Sequence, residues 1–364
     1  MDREATPATG DAAFDVIAIG SALLDVVTEV SPAFLAAHRL QKGGVQAVSE
    51  ETALRLCAGL DSRGGTAGGS AVNTTAGLAS LGARCAFVGK VRDDAFGRVF
   101  NADLRSLGVE FPTAPLLNGP PTGRCLVLVT PDAARTRARF PGASLDLGHA
   151  DVHASIIRRA TNVYLEGQLF DGLHSKHALR RAAALAHETG ARVALALSDP
   201  ACVRAHLADF VDLIKRHVDV LFASEAQIEA LLGTSDADEI HAQLASFVEV
   251  CVITRRERGS LIVTADAIHA VPAMVLNPIQ ETAAAGDLYA GGFLFGLSRQ
   301  LDLPTCGALG TLCAAEAIGH FGARPERSLR ELAAAHGYDT NLPSMPLHRG
   351  FRARTRNRSE RVLR

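Results

Sequence analysis

The sequence predicts an α/β protein: a largely parallel central sheet covered by helices on both faces, with a small antiparallel sheet set apart from it. Three observations predict this. Short apolar runs recur along the chain with helical patterns between them. Two stretches, 23–30 and 123–140, break that rhythm and read as consecutive strands joined by a turn, with Pro131-Asp132 at the second turn. Two segments of small residues, Gly64–Asn73 and Thr282–Gly286, each run into a helical pattern.

Taken in order, Phe14-Asp-Val-Ile-Ala-Ile-Gly20 is a short apolar run closed by glycine and reads as a buried first strand. Further strand-like runs fall at 85–89, 124–130, 162–165, 193–196, 220–222, 250–254 and 260–263. Helical patterns occupy 177–188 and 226–232. No internal repeat is visible. The globular part is expected over 14–337, with a lid from about 21–30 and 120–142. It is preceded by a polar tail (1–13) and followed by an Arg-rich tail (338–364). Basic runs of this kind are usually solvated, so nucleic acid is not expected as a partner.

Composition narrows the class. Hydrophobic residues make up 48% of the chain and charged residues 21%, as in ordinary globular enzymes. A net charge of −2 gives no global pull towards nucleic acid or anionic membranes. No apolar run approaches the ~20 residues that span a bilayer. The N-terminal residues carry acids and lack the apolar stretch of a secretory signal, so a cytoplasmic location is expected. The seven cysteines are scattered, without a Cys-x-x-Cys pair, and read as small core residues rather than disulfides or a zinc site.

Glu281-Thr-Ala-Ala-Ala-Gly-Asp287 is the most informative segment. Ala284, Ala285 and Gly286 have almost no side chain, so an anion could approach their N–H groups at the positive end of the following helix. Asp287 beside such an anion is a candidate base for a hydroxyl. The competing reading is an N-capping Asp on a core helix. Upstream, Gly68 and Gly69 allow close backbone approach, Ser70 suits an N-cap, and Asn73 can donate to and accept from hydroxyls.

Together with Ala86–Gly97, these two segments resemble the signatures of the ribokinase-like (PfkB) carbohydrate and nucleoside kinases. Thr130–Thr136, Val163–Gly167 and Ile318–Pro325 resemble the bacterial adenosine-kinase-like branch. The resemblance covers about 14–337. It implies a three-layer sandwich with a β-sheet lid, and ATP with Mg²⁺ as cofactors. A nucleoside or sugar is the implied acceptor, adenosine first, and a monovalent cation is possible. Asp287 is then the base and the 284–286 turn the anion hole. Asp25, Gly68, Gly69 and Asn73 become acceptor contacts, and Arg135 a lid arginine reaching the transferred phosphate. Ser224, Gln227, Thr254 and Gly259 fall on the nucleotide side. No protein ligand for a metal is assigned, and the oligomeric state is left open.

The departures from the family pattern cluster on the phosphate side. The usual Asp-Thr-x-Gly-Ala-Gly-Asp carries Glu281 and Ala284 at its first and fourth positions, and the usual Asn-x-x-Glu is Ser224-Glu-Ala-Gln227. If position 284 needs positive φ, alanine there costs on the order of 1 kcal/mol. Glu225 is the nearest carboxylate that could substitute for the lost one. The segment after Thr136 is unusually basic. Two functions therefore stay open: an active kinase, and a degenerate member that binds a nucleoside with little or no turnover.

Overall fold

The computed structural model describes residues 14–58 and 65–344. Gly64 of the glycine-rich segment and the polar and Arg-rich ends lie outside the described residues. The strands are β1 (Phe14–Ile19), β2 (Leu23–Glu29), β3 (Val45–Ala47), β4 (Thr66–Gly68), β5 (Cys85–Val88), β6 (Gly123–Val129) and β7 (Arg135–Phe140). They continue with β8 (Ala160–Glu166), β9 (Arg192–Ala196), β10 (Val220–Ser224), β11 (Val250–Thr254), β12 (Ser260–Val263) and β13 (Ile268–Val271).

Eight of them form the central sheet in the order β13-β12-β11-β10-β9-β8-β1-β5. From β5 to β11 every pairing is parallel, and the β11-β12-β13 edge is antiparallel. Alternation along the strands sorts their side chains into two cores. Val16, Ala18, Val220, Phe222, Val250 and Val252 join one. Ile17, Ile19, Leu221, Ala223, Cys251 and Ile253 join the other. Both faces are thus covered, giving the three-layer sandwich.

The second sheet has the order β3-β7-β6-β2-β4. β6-β7 is antiparallel, as the turn at Pro131-Asp132 predicts, and so is β2-β4, but β2-β6 and β3-β7 are parallel. The lid is a mixed sheet because β2 and β6 come from distant parts of the chain and meet side by side in one direction. Its short strands β3 and β4 were not foreseen. Three residues seldom carry a readable period, and Thr66–Gly68 looks like loop in sequence.

Three helices place the site. Ser70–Ser80 follows β4 directly and is buried over Ala71–Leu78. Ala285–Ser298 is buried from Leu288 to its end and packs against the first helix and against Leu303–Ala317. An apolar helix without a polar face must be enclosed, and its first turn is the part that reaches the cleft. No helix among the described residues is long and apolar enough to cross a membrane.

Candidate active site

A cavity of about 360 Å³ lies between the lid and the C-terminal ends of the parallel strands. Its walls include Asp25, Gly69, Ser70, Asn73, Gln227, Ala284 and Asp287, with Arg135, Arg137, Arg139 and Arg324. The volume is in the range of small-molecule sites, and crevices at strand C-termini are where open α/β sheets bind ligands.

Asp287 stands in the first turn of its helix. Ser70 Oγ donates to Asp287 Oδ1 at 2.5 Å, and Asn73 Nδ2 donates to Oδ2 at 2.9 Å. Removal from water pushes the Asp287 pKa up to about 7, against the pull of those two hydrogen bonds. Asn73 is buried, and its Oδ1 has no hydrogen-bond partner. Its amide orients the carboxylate.

Asp25 projects from β2 into the same cavity. Burial pushes its pKa up to about 6, with Arg324, Arg137 and Arg139 opposing the rise. Gly68 makes room for it: a Cβ there would lie 2.3 Å from the Asp25 carboxyl. Gly69 has φ +109, and a Cβ would meet the Ser21 carbonyl at 2.3 Å, so this turn admits only glycine. Gly69 is also the N-cap of the following helix. Ser70, expected as the cap, is instead its first residue, which frees its hydroxyl for Asp287.

The turn at 284–286 differs from one expectation. Ala284 caps the helix with φ −95, so its alanine carries no left-handed strain. The helix has no side-chain cap, and nothing lies within 4 Å of a Cβ built on Gly286. An uncapped helix start with open space beside it suits an anion. Asp287 is therefore not an N-cap.

On the phosphate side the side chains satisfy one another. Arg135 contacts Glu281 at 3.2 Å, Arg137 pairs with the same carboxylate, and the Gly322 N–H donates to it at 3.1 Å. Arg135 also stacks over Phe321, with its guanidinium carbon 4.2 Å from the ring centroid. Ser224 and Gln227 form a capping box. The Gln227 carboxamide accepts from the Ser224 N–H at 2.7 Å, and Ser224 Oγ accepts from the Gln227 N–H at 3.4 Å. Glu225 does not replace a lost carboxylate here, because it is held by Arg258. Ser224, Thr254 and Gly259 do not line the cavity. The Thr254 hydroxyl faces the Ala223 carbonyl at 3.5 Å. Gly259 has φ +75 in the β11-β12 turn, where a Cβ would strike the Val271 carbonyl.

Four further residues shape the site and went unassigned from sequence. Glu166 ends β8 and accepts from the N–H groups of Ser21 and Ala71, both at 3.1 Å, which anchors the Ser70 helix. Arg324 donates to the Ala67 carbonyl at 2.6 Å and to Asp103 at 2.8 Å, tying the post-helix segment to β4. Arg137 and Arg139 share a strand face with Arg135. The Arg-x-Arg-x-Arg alternation was the available signal for that, since strand residues two apart face the same way. Glu166 and Arg324 had no such local signal.

Comparison with known proteins agrees with this fold. Residues 61–329 match the pfkB family carbohydrate kinase description. The adenosine kinase from Sinorhizobium meliloti superposes with a TM-score of 0.81 at 38% identity, over 90% of this chain and 100% of that one. A probable sugar kinase from Rhizobium etli CFN 42 gives 0.82 at 34%, over 90% and 99%. Fructokinase-1 of Oryza sativa subsp. japonica is 28% identical over 237 residues, 62% of this chain and 72% of its own length. With well over half its length matched, this chain belongs to the pfkB family of carbohydrate kinases.

Proposed function

We propose that the protein transfers the γ-phosphoryl group of ATP to the hydroxymethyl group of a nucleoside or sugar, with adenosine, giving AMP, as the first candidate. The observation that carries this is the Asp287 carboxylate, fixed between Ser70 and Asn73 at an uncapped helix start and with a pKa near neutrality. A base poised near the working pH combines a useful ionised fraction with proton affinity. Asp287 takes the proton from the acceptor hydroxyl as its oxygen bonds to the γ-phosphorus, and ADP leaves with the electrons of the broken P–O bond. Asp25 accepts from other acceptor hydroxyls, and Asn73 holds Asp287 in place. The N–H groups of Ala284 and Gly286 hold the developing charge on the phosphoryl oxygens, whereas that of Ala285 donates to the Thr282 carbonyl at 3.2 Å. The identity to the adenosine kinase supports adenosine over a simple sugar as acceptor.

ATP fits the chain's residues on one count, the open and uncapped start of the Asp287 helix. Mg²⁺ has less to meet. Gln227 is neutral and committed to its capping box, and Glu225 is held by Arg258, so that wall offers no free carboxylate to a hard cation. No step is assigned to the metal here.

A second reading, a nucleoside-binding protein with little turnover, draws on the Glu281 pairing with both Arg135 and Arg137, which occupies the arginine expected at the phosphate. One experiment separates the two. Phosphorylated product is measured with Mg-ATP and adenosine, inosine, guanosine, cytidine, ribose and fructose, with Asp287→Asn as the blank. Turnover of one acceptor that disappears in the variant establishes the kinase and names its substrate. Saturable nucleoside binding by calorimetry without product selects the binding protein.

A further inference from the structure

Outside the catalytic end of the cleft, three side chains that could ligate a metal converge: Asp171, Cys202 and His206. One ligand atom from each lies within 4.8 Å of the others. Cys202 and His206 are four residues apart on the helix Pro200–Ala205 and its C-cap, hence on one face. Asp171 ends the short 3₁₀ turn Gly167–Asp171 that follows β8. From sequence the cysteines read as core residues rather than a zinc site; the fold is what brings Cys202, His206 and Asp171 together.

We infer that Asp171, Cys202 and His206 form a site for one divalent transition metal of the zinc class, with water as the fourth ligand. A thiolate and an imidazole beside one carboxylate suit zinc, whereas magnesium and calcium take oxygen donors. Ligands bound at about 2.0–2.3 Å in a tetrahedron sit roughly 3.3–3.8 Å apart. Asp171 Oδ1 and His206 Nε2 are hydrogen-bonded to each other at 3.2 Å, a bond that a shared ion would replace. The thiol's polar neighbours are Ser198, Asp171 and the Gly167 carbonyl at 3.9 Å. Access is open on one side, since the Asp171 side chain is 41% exposed while Cys202 is buried.

The surrounding groups match what orients metal ligands elsewhere. Asp171 Oδ2 accepts from Gln168 Nε2 at 2.5 Å. His206 Nδ1 is 4.0 Å from Asp209, a carboxylate that Lys176 and Arg180 hold at 2.6 and 2.5 Å. Gln168 also accepts from Ser198 Oγ at 2.6 Å, and both residues line the cleft. A bound ion therefore staples the 3₁₀ turn to the 200–205 helix and braces that wall.

The test uses reduced, tag-free, full-length protein titrated with Co²⁺ alone. One equivalent should produce a near-ultraviolet sulfur-to-cobalt band with intense tetrahedral visible bands, and Zn²⁺ should bleach both. Cys202→Ser should lose the sulfur band, and His206→Asn should weaken Co²⁺ binding by at least about tenfold. Zn²⁺ should raise the Tm of the wild type and not that of Cys202→Ser. Absence of the band, or its persistence in Cys202→Ser, overturns the site. If circular dichroism shows Cys202→Ser misfolded, His206→Asn decides, and unchanged Co²⁺ affinity there overturns it equally.

Discussion

The two ends of the cleft are built on opposite electrostatic plans. At the acceptor end, Asp25, Asn73 and Asp287 converge on the cavity with unspent hydrogen-bonding capacity, and two carboxyl pKa values are raised by burial. At the phosphate end, the charged groups are already neutralised inside the protein: Glu281 by Arg135 and Arg137, Glu225 by Arg258. A site that keeps polar groups unpaired is held ready for a ligand, because the ligand supplies the missing partners. A site whose ions pair internally makes an incoming anion compete with a carboxylate. The difference falls where the sequence departs from the pattern that the resemblance implies.

The largest expected effect lies at the acceptor end. Asp287→Asn should lower kcat by ~10²–10⁴-fold. Acceptor affinity by calorimetry should change far less, because Asn keeps the contact to Ser70. Equal turnover in both proteins would remove Asp287 from the chemistry and collapse the contrast.

Titration comes next. With Asp287 near 7 and Asp25 near 6, kcat/KM should fall about tenfold per pH unit below neutrality, and more steeply below 6 where both carboxyls protonate. Stability should run the other way. Both folded-state pKa values lie above their unfolded values, so the native state binds more protons between about pH 4 and 7. Stability is therefore lost as pH rises through that window. A Tm that falls from pH 5 to 8 in the wild type, with a shallower slope in Asp287→Asn, would confirm the sign. A slope unchanged by the substitution would show that other groups carry the proton uptake.

At the phosphate end, Glu281→Gln should release Arg135 and Arg137. ATP should then bind several-fold more tightly, about 1 kcal/mol, while the unliganded protein melts lower with two guanidinium groups left unpaired. Weaker ATP binding would instead mean that Glu281 holds the 281–287 turn in its working shape. The smallest effect is expected from Ser224→Asn with Gln227→Glu. That pair preserves a capping box and adds one carboxylate beside the cleft, so apparent Mg²⁺ affinity should rise a few-fold at unchanged Tm. An unchanged Mg²⁺ titration would show that the metal is organised without this wall.

The central sheet was legible in its parallel core, where buried strands give apolar runs, but its edge strand β13, only half-buried, was missed. β11 and β12 fall on the expected residues, and β8 through β10 differ only at their ends. The lid was half legible. β2, β6 and β7 stood out, whereas β3 and β4 are three residues each and depend on their partners for existence. The resemblance assigned acceptor contacts at Asp25, Gly68, Gly69 and Asn73 and the base at Asp287; all but Gly68, which instead makes room for the Asp25 carboxyl, line one cavity. Of the nucleotide-side residues, Gln227 lines the same cavity. Thr254 and Gly259 lie away from the cavity, and Ser224 turned out to be committed to a helix cap. Those positions carry hydroxyls and a glycine that serve ordinary turns and caps equally well.

What the sequence determined by itself was local: alternation that sorts strand residues into two cores, glycine at 69 where no Cβ fits, and an acid in the first turn of an apolar helix. What the tertiary structure decided were the pairings across long separations. Examples are Ser70 and Asn73 on Asp287, Glu281 between two lid arginines, and Asp171 beside Cys202 and His206. The reason is physical. Backbone sterics and hydrophobic period act within a few residues, so the sequence displays them directly. Carboxyl pKa values, ion-pair choice and metal geometry depend on distances of a few ångströms between groups that the chain brings together only when the cores have formed.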